Sequence, residues 1–253
     1  MFKLTRRSLP VVFALCLAAC GSNEPKDDPN ATPQQLYSEA KELMDSGSYE
    51  QAIKQYERLQ ARFPYGNYAQ QAELDVAYSY YKLRDVPSTV SAADRFIKAH
   101  PNHPSVDYAI YLKGLAYYNT DDSWMTYLVT MDLADRDPLA TRDAFDTFKD
   151  LVTRYPSSRY TPDATDRMHK LVEALANNEL HVARYYAARR APLAAANRAQ
   201  VVLRQFPDSD AVEEALGIMV KAYDQLGLTA LKNDTERVLR QNYPNSQYLA
   251  AAK

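Results

Sequence analysis

An aromatic residue followed by proline recurs along this chain as Phe63-Pro64, Tyr155-Pro156, Phe206-Pro207 and Tyr243-Pro244, and His100-Pro101 stands in the same place once. These prolines lie 37, 55, 51 and 37 residues apart. The basic unit is therefore a little over roughly thirty residues, with longer units in the middle, and repetition on that scale means stacked supersecondary units. The local chemistry explains the motif. Proline cannot continue a helix, the aromatic anchors the helix end in the core, and the Ser, Gly or Asn that follows supplies the turn and the next cap.

The first unit, "LYSEAKELMDSGSYEQAIKQYERLQARFP", shows what is repeated. Apolar residues recur at helical spacing, Gly47 interrupts, and Tyr49, Ala52, Tyr56 and Leu59 resume the 3.6 period up to Pro64. That predicts a helical hairpin in which small Ala40 and Ala52 allow close approach and Tyr56 fills the gap. Ala40, Leu43, Gly47, Tyr49, Ala52, Tyr56, Leu59 and Pro64 resemble the tetratricopeptide pattern. Later units repeat parts of it, with Ala77, Tyr80 and Pro101, then Gly114, Tyr117, Ala144, Phe148 and Pro156, then Ala183, Tyr186, Ala195, Ala199 and Pro207, then Tyr223, Gly227, Leu239 and Pro244. Lys232 departs from it at a small-residue position. The expected fold is all-α, a tetratricopeptide-like solenoid of about five hairpins and about ten helices. Thr32, Pro33 and Gln35 form a capping box for the first helix. Residues 119–138 interrupt the third hairpin and hold the only tryptophan, Trp124, with Asp137-Pro138 reading as a helix start; residues 157–178 add helix before the fourth unit, so one helix there is long. The repeats divide into an N-terminal set, 34–156, and a C-terminal set, 157–253.

The chain opens with processing information. Lys3, Arg6 and Arg7 precede the apolar "LPVVFALCLAA", a run too short for a stable transmembrane anchor, so residues 1–19 read as a secretory signal. "LAAC", Leu17 to Cys20, resembles a bacterial lipobox, which implies cleavage before Cys20 and a covalent lipid on its thiol as the only attached group, with no other cofactor. "TRRSL" brushes against a twin-arginine signal, but nothing suggests a cofactor inserted before export, and the general secretory route fits better. Residue 21 is glycine rather than the aspartate of inner-membrane retention, which points to the periplasmic face of the outer membrane. Residues 20–33 carry no large apolar side chain and form a tether. Cys16 leaves with the signal and Cys20 is acylated, so the mature chain has no thiol left to pair. It keeps 27 Lys+Arg against 32 Asp+Glu, a formal −5, which argues against nucleic acid and against a polybasic membrane patch.

The residues that carry chemistry are not arranged for catalysis. The six glycines, at 21, 47, 66, 114, 217 and 227, have no phosphate-cradling spacing. "HPNHP" places His100 and His103 in a turn with no third ligand nearby. Asp132, Asp135 and Asp137 lack the later glutamate and the turn glycine of a calcium loop. His169 and His181 stand alone, without a nucleophile partner. No catalytic or metal site is expected.

A binding surface is. In tetratricopeptide arrays the first helix of each hairpin lines the concave face. Counting from the matched positions puts Tyr37, Lys41, Leu74, Tyr78, Tyr81, Lys82, Tyr108, Tyr111, Leu115 and Tyr118 there. Tyrosine offers a flat apolar ring with a polar edge, suited to an extended peptide, while Lys41 or Lys82 would meet a terminal carboxylate. The alternative is that some of these rings only pack between adjacent repeats.

Together with the lipobox, the tether and the five hairpins, the segments "RFPYGNYAQQAELDVAYSYYK", "DRFIKAHPNHPSVDYAIYLKGL" and "DRDP" resemble the BamD family of lipoproteins, part of the β-barrel assembly machinery of the Gram-negative outer membrane. The resemblance covers essentially the whole mature chain. It implies a non-enzymatic subunit that docks on the periplasmic domains of BamA, contacts the lipoproteins BamC and BamE, and receives unfolded β-barrel outer-membrane proteins through their C-terminal signal. It associates the N-terminal repeats with extended peptides and the C-terminal repeats with BamA, and "NRAQ" carries the BamA-facing role onto Arg198. On physics alone, a periplasmic tetratricopeptide lipoprotein that organises cell-wall synthesis or the envelope-constricting machinery is the competing class, and a cell-wall enzyme a third.

Overall fold

The computed structural model describes residues 29–118 and 138–250. The signal segment, Cys20, Trp124 and Asp132, Asp135 and Asp137 lie outside them. The described residues form eleven helices and no strand: α1 (Pro33–Asp45), α2 (Tyr49–Arg62), α3 (Asn67–Lys82), α4 (Val86–Ala99), α5 (Val106–Tyr118), α6 (Pro138–Arg154), α7 (Thr161–Ala188), α8 (Pro192–Gln205), α9 (Ala211–Gln225), α10 (Thr229–Asn242) and α11 (Gln247–Ala250). Each helix packs on the one before and the one after, and first helices of successive hairpins also touch, α1 with α3, α3 with α5 and α7 with α9. That alternation is the tetratricopeptide-like solenoid.

The period visible in the sequence is a packing period. Five residues before each hinge proline stand Leu59, Phe96, Leu151, Val202 and Leu239, all fully buried. Burying a side chain of this kind stabilises by about 1.5–3 kcal/mol. Eight residues before the proline stand Tyr56, Ala93, Phe148 and Ala199, again fully buried, and then Glu236. Phe148 fits because residue 114 is glycine: a Cβ there would lie 2.5 Å from its ring. Twelve before stand Ala52, Thr89, Ala144 and Ala195, and then Lys232. Lys232 instead reaches Asp224 at 2.7 Å, so the last hairpin keeps only one of the three contacts.

Two repeated turns connect the helices. At all five hinges the N–H of the residue before proline closes the helix on the carbonyl four back, as in Phe63 to Leu59 and Tyr155 to Leu151. Proline then forces that residue out of the helical region, and Phe63, His100, Phe206 and Tyr243 all have φ near −130°. In the last four hinges the second residue after proline, His103, Ser158, Ser209 or Ser246, donates its N–H to the pre-proline carbonyl and accepts from the residue three ahead. His103 takes the place of serine, its Nδ1 accepting from the Ser105 N–H at 3.1 Å. Four hairpin turns share a Schellman motif, with Gly47, Arg84, Arg190 and Gly227 at positive φ.

The chain start is held down: Thr32 and Gln35 form the capping box, and Arg62 donates to the carbonyl of Pro29. The long helix expected before the fourth unit is α7, 28 residues. Its first half packs with α5 and α6 and its second with α8 and α9, so one rod spans both halves. The eleventh helix is the difference from ten. The hinge after Tyr243-Pro244 restarts a helix as the others do, and Tyr248 covers Gly217 of α9.

Candidate binding groove

On the side formed by first helices, the three N-terminal hairpins and the hinge before α7 line a groove of about 680 Å³. Lys41 and Asp45 reach it from α1, Tyr49 from α2, Gln71, Asp75 and Tyr78 from α3, and Asp107 and Tyr108 from α5. Pro104 and Ser105 of the second hinge and Arg159 and Tyr160 of the third complete the wall. Helical spacing accounts for the α3 contribution, since 71, 75 and 78 fall on one face.

Asp75 decides the groove's electrostatics. It is 8% exposed. Its carboxylate accepts from Tyr37 Oη at 2.8 Å and Gln71 Nε2 at 3.1 Å. Burial raises its pKa above the usual carboxylate range, and these two bonds, with the Lys41 charge nearby, oppose that shift without cancelling it. Tyr37, Tyr56 and Tyr108 are pushed well above the usual phenol range, chiefly by burial, so their hydroxyls remain neutral donors. Lys41 is already engaged, its Nζ 2.6 Å from Asp45 Oδ1.

The expected groove residues separate into two sets. Lys41, Tyr78 and Tyr108 line the groove, and Leu74 is buried beneath it. Tyr37 is not on the wall but stands behind it, holding Asp75 through its hydroxyl, with its ring against Tyr56 and Tyr68 at 5.7 and 5.5 Å. The others only bind neighbouring repeats together. Tyr81 packs with Ala77, Ala92 and Leu112, a cluster that the inner edges of Tyr78 and Tyr108 also touch, and Lys82 lies over the Tyr49 ring at 6.0 Å. Tyr111 stacks on Tyr160 at 4.7 Å and donates to Asp163 at 2.7 Å. Burial and that bond raise the Tyr111 pKa to about 12. Tyr118 faces Phe148 and carries Arg167 over its ring, and Leu115 packs in the same cluster.

Asp75, Tyr49, Arg159 and Tyr160 were missed. Asp75 had a signal, a lone acid within the apolar run "LDVAY". Arg159 and Tyr160 belong to the hinge "RYPSSRYTPDA", which reads as a connector until the fold brings it beside α5. At the other end of the solenoid, Arg198 is exposed on α8 and meets Glu179 of α7 at 3.2 Å. Among the described residues no three His, Cys, Asp or Glu side chains gather as a metal site, and no helix is long and apolar enough to cross a membrane.

Compared with known proteins, the chain matches the YfiO family, described as outer membrane lipoprotein, over residues 29–239. It is 45% identical over 249 residues to the outer membrane protein assembly factor BamD of Neisseria meningitidis serogroup A, covering 96% of this chain and 93% of that protein. It is 38% identical over 236 residues to the factor of the same name from Vibrio cholerae, covering 93% of this chain and 98% of that one. A crystal structure of a thermophilic TPR protein from Thermus thermophilus is 14% identical, with a TM-score of 0.36 over 87% of this chain and 96% of that one.

Proposed function

The chain belongs to the YfiO family of outer membrane lipoproteins, which the BamD assembly factors represent, and from that premise we propose that it acts as a non-catalytic adaptor holding an unfolded barrel protein in its N-terminal groove while its C-terminal hairpins face the rest of the assembly machinery. Its general role is outer membrane protein assembly at the outer membrane. The observation that carries the finer reading is that Tyr78 and Tyr108 present partly exposed rings across one groove whose buried polar atoms are already satisfied within the protein. Such a site offers flat apolar contact to an extended chain. Its acids are engaged as structure, Asp45 with Lys41 and Asp75 with Tyr37 and Gln71, which favours binding over catalysis.

In this reading Cys20 bears the lipid on the periplasmic face, and the chain docked at Pro29 by Arg62 is the end of the tether. BamA meets the C-terminal hairpins, with Arg198 on the exposed face of α8, and BamC and BamE are the other partners. One crossed experiment tests both surfaces: tagged full-length protein is recovered from cells and its partners quantified. Tyr78→Ala with Tyr108→Ala should lower capture of unfolded barrel proteins by roughly five- to a hundredfold, the loss of about 1–3 kcal/mol expected for two aromatic anchors, and leave BamA bound. Arg198→Glu should do the reverse. Unchanged barrel capture by a folded double variant rejects the groove, and unchanged BamA recovery removes Arg198.

A further inference from the structure

The cations near the groove are not equivalent. Lys41 is 2.6 Å from Asp45 and stands on the groove wall with the buried Asp75, so its charge is already answered by a carboxylate at the α1–α3 end of the groove. Lys82 is not on the wall and lies over Tyr49. Arg159 is on the wall at the opposite end and forms no ion pair with a carboxylate among the described residues. Asp107, the acid whose charge it feels, is occupied by Ser158 Oγ at 2.6 Å and the Tyr108 N–H at 2.7 Å.

The support beneath Arg159 is organised in advance. Its guanidinium lies 4.8 Å from the centre of the Tyr160 ring and donates to that phenol. Tyr160 in turn stacks on Tyr111, 18° from parallel, and contacts Tyr108 at 5.5 Å. Tyr111 is pinned by its bond to Asp163, whose pKa is held down by Arg167 and Tyr111 against the effect of burial. A guanidinium resting on a fixed ring keeps unused N–H donors in the planar fork that matches a carboxylate, and loses little freedom on binding one.

Resting on the peptide-groove reading, we propose that Arg159, not Lys41 or Lys82, takes the terminal carboxylate of an extended peptide. The chain end then sits beside Tyr108 and Tyr160, and the chain runs back over Tyr78 toward Asp45 and Asp75. With the cation at one end already paired and Arg159 open at the other, a bound strand has one direction.

The test uses the full chain in detergent and a short synthetic peptide of alternating aromatic and polar residues in three forms, a free acid, its C-terminal amide, and the amide with glutamate as last residue. Anisotropy titrations of the wild-type protein should give the free acid about five- to tenfold tighter binding than the amide, the range for a charge-assisted bond at a wet site. The advantage should shrink in high salt. In Arg159→Gln both forms should bind like the wild-type amide, with an unchanged circular dichroism spectrum, whereas Lys41→Gln should keep the discrimination. Equal binding of acid and amide by the wild type, or discrimination that survives Arg159→Gln, overturns the assignment while leaving the groove intact. Tight binding of the glutamate amide overturns the terminal carboxylate in favour of a side-chain acid. Failure of all three forms to bind overturns the groove itself, and Arg159 with it.

Discussion

In the first three hairpins fully buried rings stand among the alanines between the helices, and in the last two alanine and branched aliphatic side chains dominate, with Phe206 the buried ring among them. Tyr56, Phe96 and Phe148 are fully buried in α2, α4 and α6, with two ring groups around them, Tyr37 with Tyr68 and Tyr160 with Tyr108 and Tyr111. Between α7, α8 and α9 the corresponding contacts are Ala183, Ala195, Ala199, Ala211, Ala215 and Val202. Small side chains let helices close on one another, whereas rings hold them apart and leave concave space with polar edges. The N-terminal half therefore gains a groove, and the C-terminal half an outer face with charge pairs. Arg184 grips Glu214 through two bonds of 2.6 and 2.7 Å, and Arg198 meets Glu179. The final hairpin goes further: with Lys232 and Glu236 at core positions, Leu228 and Leu231 stay 42% and 48% exposed.

The contrast breaks most easily at Tyr56. Its ring is wholly buried against Tyr37, with its hydroxyl 3.9 Å from the Met44 sulfur, so Tyr56→Ala removes the spacer below the groove. The expected cost is about 3–5 kcal/mol, as for other large aromatic truncations. The matching change in the other half is the opposite one: Ala199→Leu should cost about 1–3 kcal/mol by overfilling the α7–α8 contact. Urea unfolding with unchanged m-values measures both. A cost for Tyr56→Ala below that of Ala199→Leu would mean that the rings do not carry the N-terminal packing.

Asp75 gives a pH-dependent version of the same contrast. Because burial raises its pKa in the folded state, the native protein binds its proton more tightly than the unfolded chain does. Stability then falls as pH rises through the ordinary carboxylate range to the raised value, and the penalty is absent below that range. In Asp75→Asn the amide oxygen still accepts from Tyr37, and the NH2 donates to Gln71 Oε1 once the Gln71 amide is turned over. The variant should lose this fall and be at least as stable as the wild type above it. Glu214, held low by its bonds to Arg184 against desolvation, acts in the opposite sense: its contribution is present above the ordinary glutamate range and disappears as pH falls through the depressed value. Melting temperatures of Asp75→Asn and Glu214→Gln across the acidic range should therefore diverge from wild type in opposite directions. Parallel curves would show that the two halves are not electrostatically distinct.

The repeat was legible because it rests on local chemistry. A residue before proline leaves the helical region wherever it occurs, and Thr32 with Gln35 caps a helix without tertiary help. The turns at Arg84 and Arg190 were not legible, since the left-handed region is normally signalled by glycine or asparagine. For the groove, helical spacing identified the right helices but not the flank that a neighbour would cover. Tyr78 and Tyr108 remained in the groove, while Tyr111 and Tyr118 were covered by Tyr160 and Arg167 from α7 and the turn before it. Those partners lie some fifty residues on, and no local pattern links them to α5.

The smallest effect asks whether the halves, so different in filling, are still built on one hairpin turn. Arg84 joins α3 to α4 at φ 60° and Arg190 joins α7 to α8 at φ 57°, where Gly47 and Gly227 serve the same bonds at φ 82° and 68°. A side chain in the left-handed region costs about 1–2 kcal/mol, and glycine returns about 0.5–1 kcal/mol of that through the extra freedom of the unfolded chain. Arg84→Gly and Arg190→Gly should each stabilise by about 0.5 kcal/mol, a shift that paired denaturation curves can resolve. Equal gains mean that the turn is a common part, indifferent to whether rings or alanines pack above it. A gain at one site and a loss at the other would show that one arginine is held by contacts its own half provides, and the difference between the halves would then extend from the core to the turns.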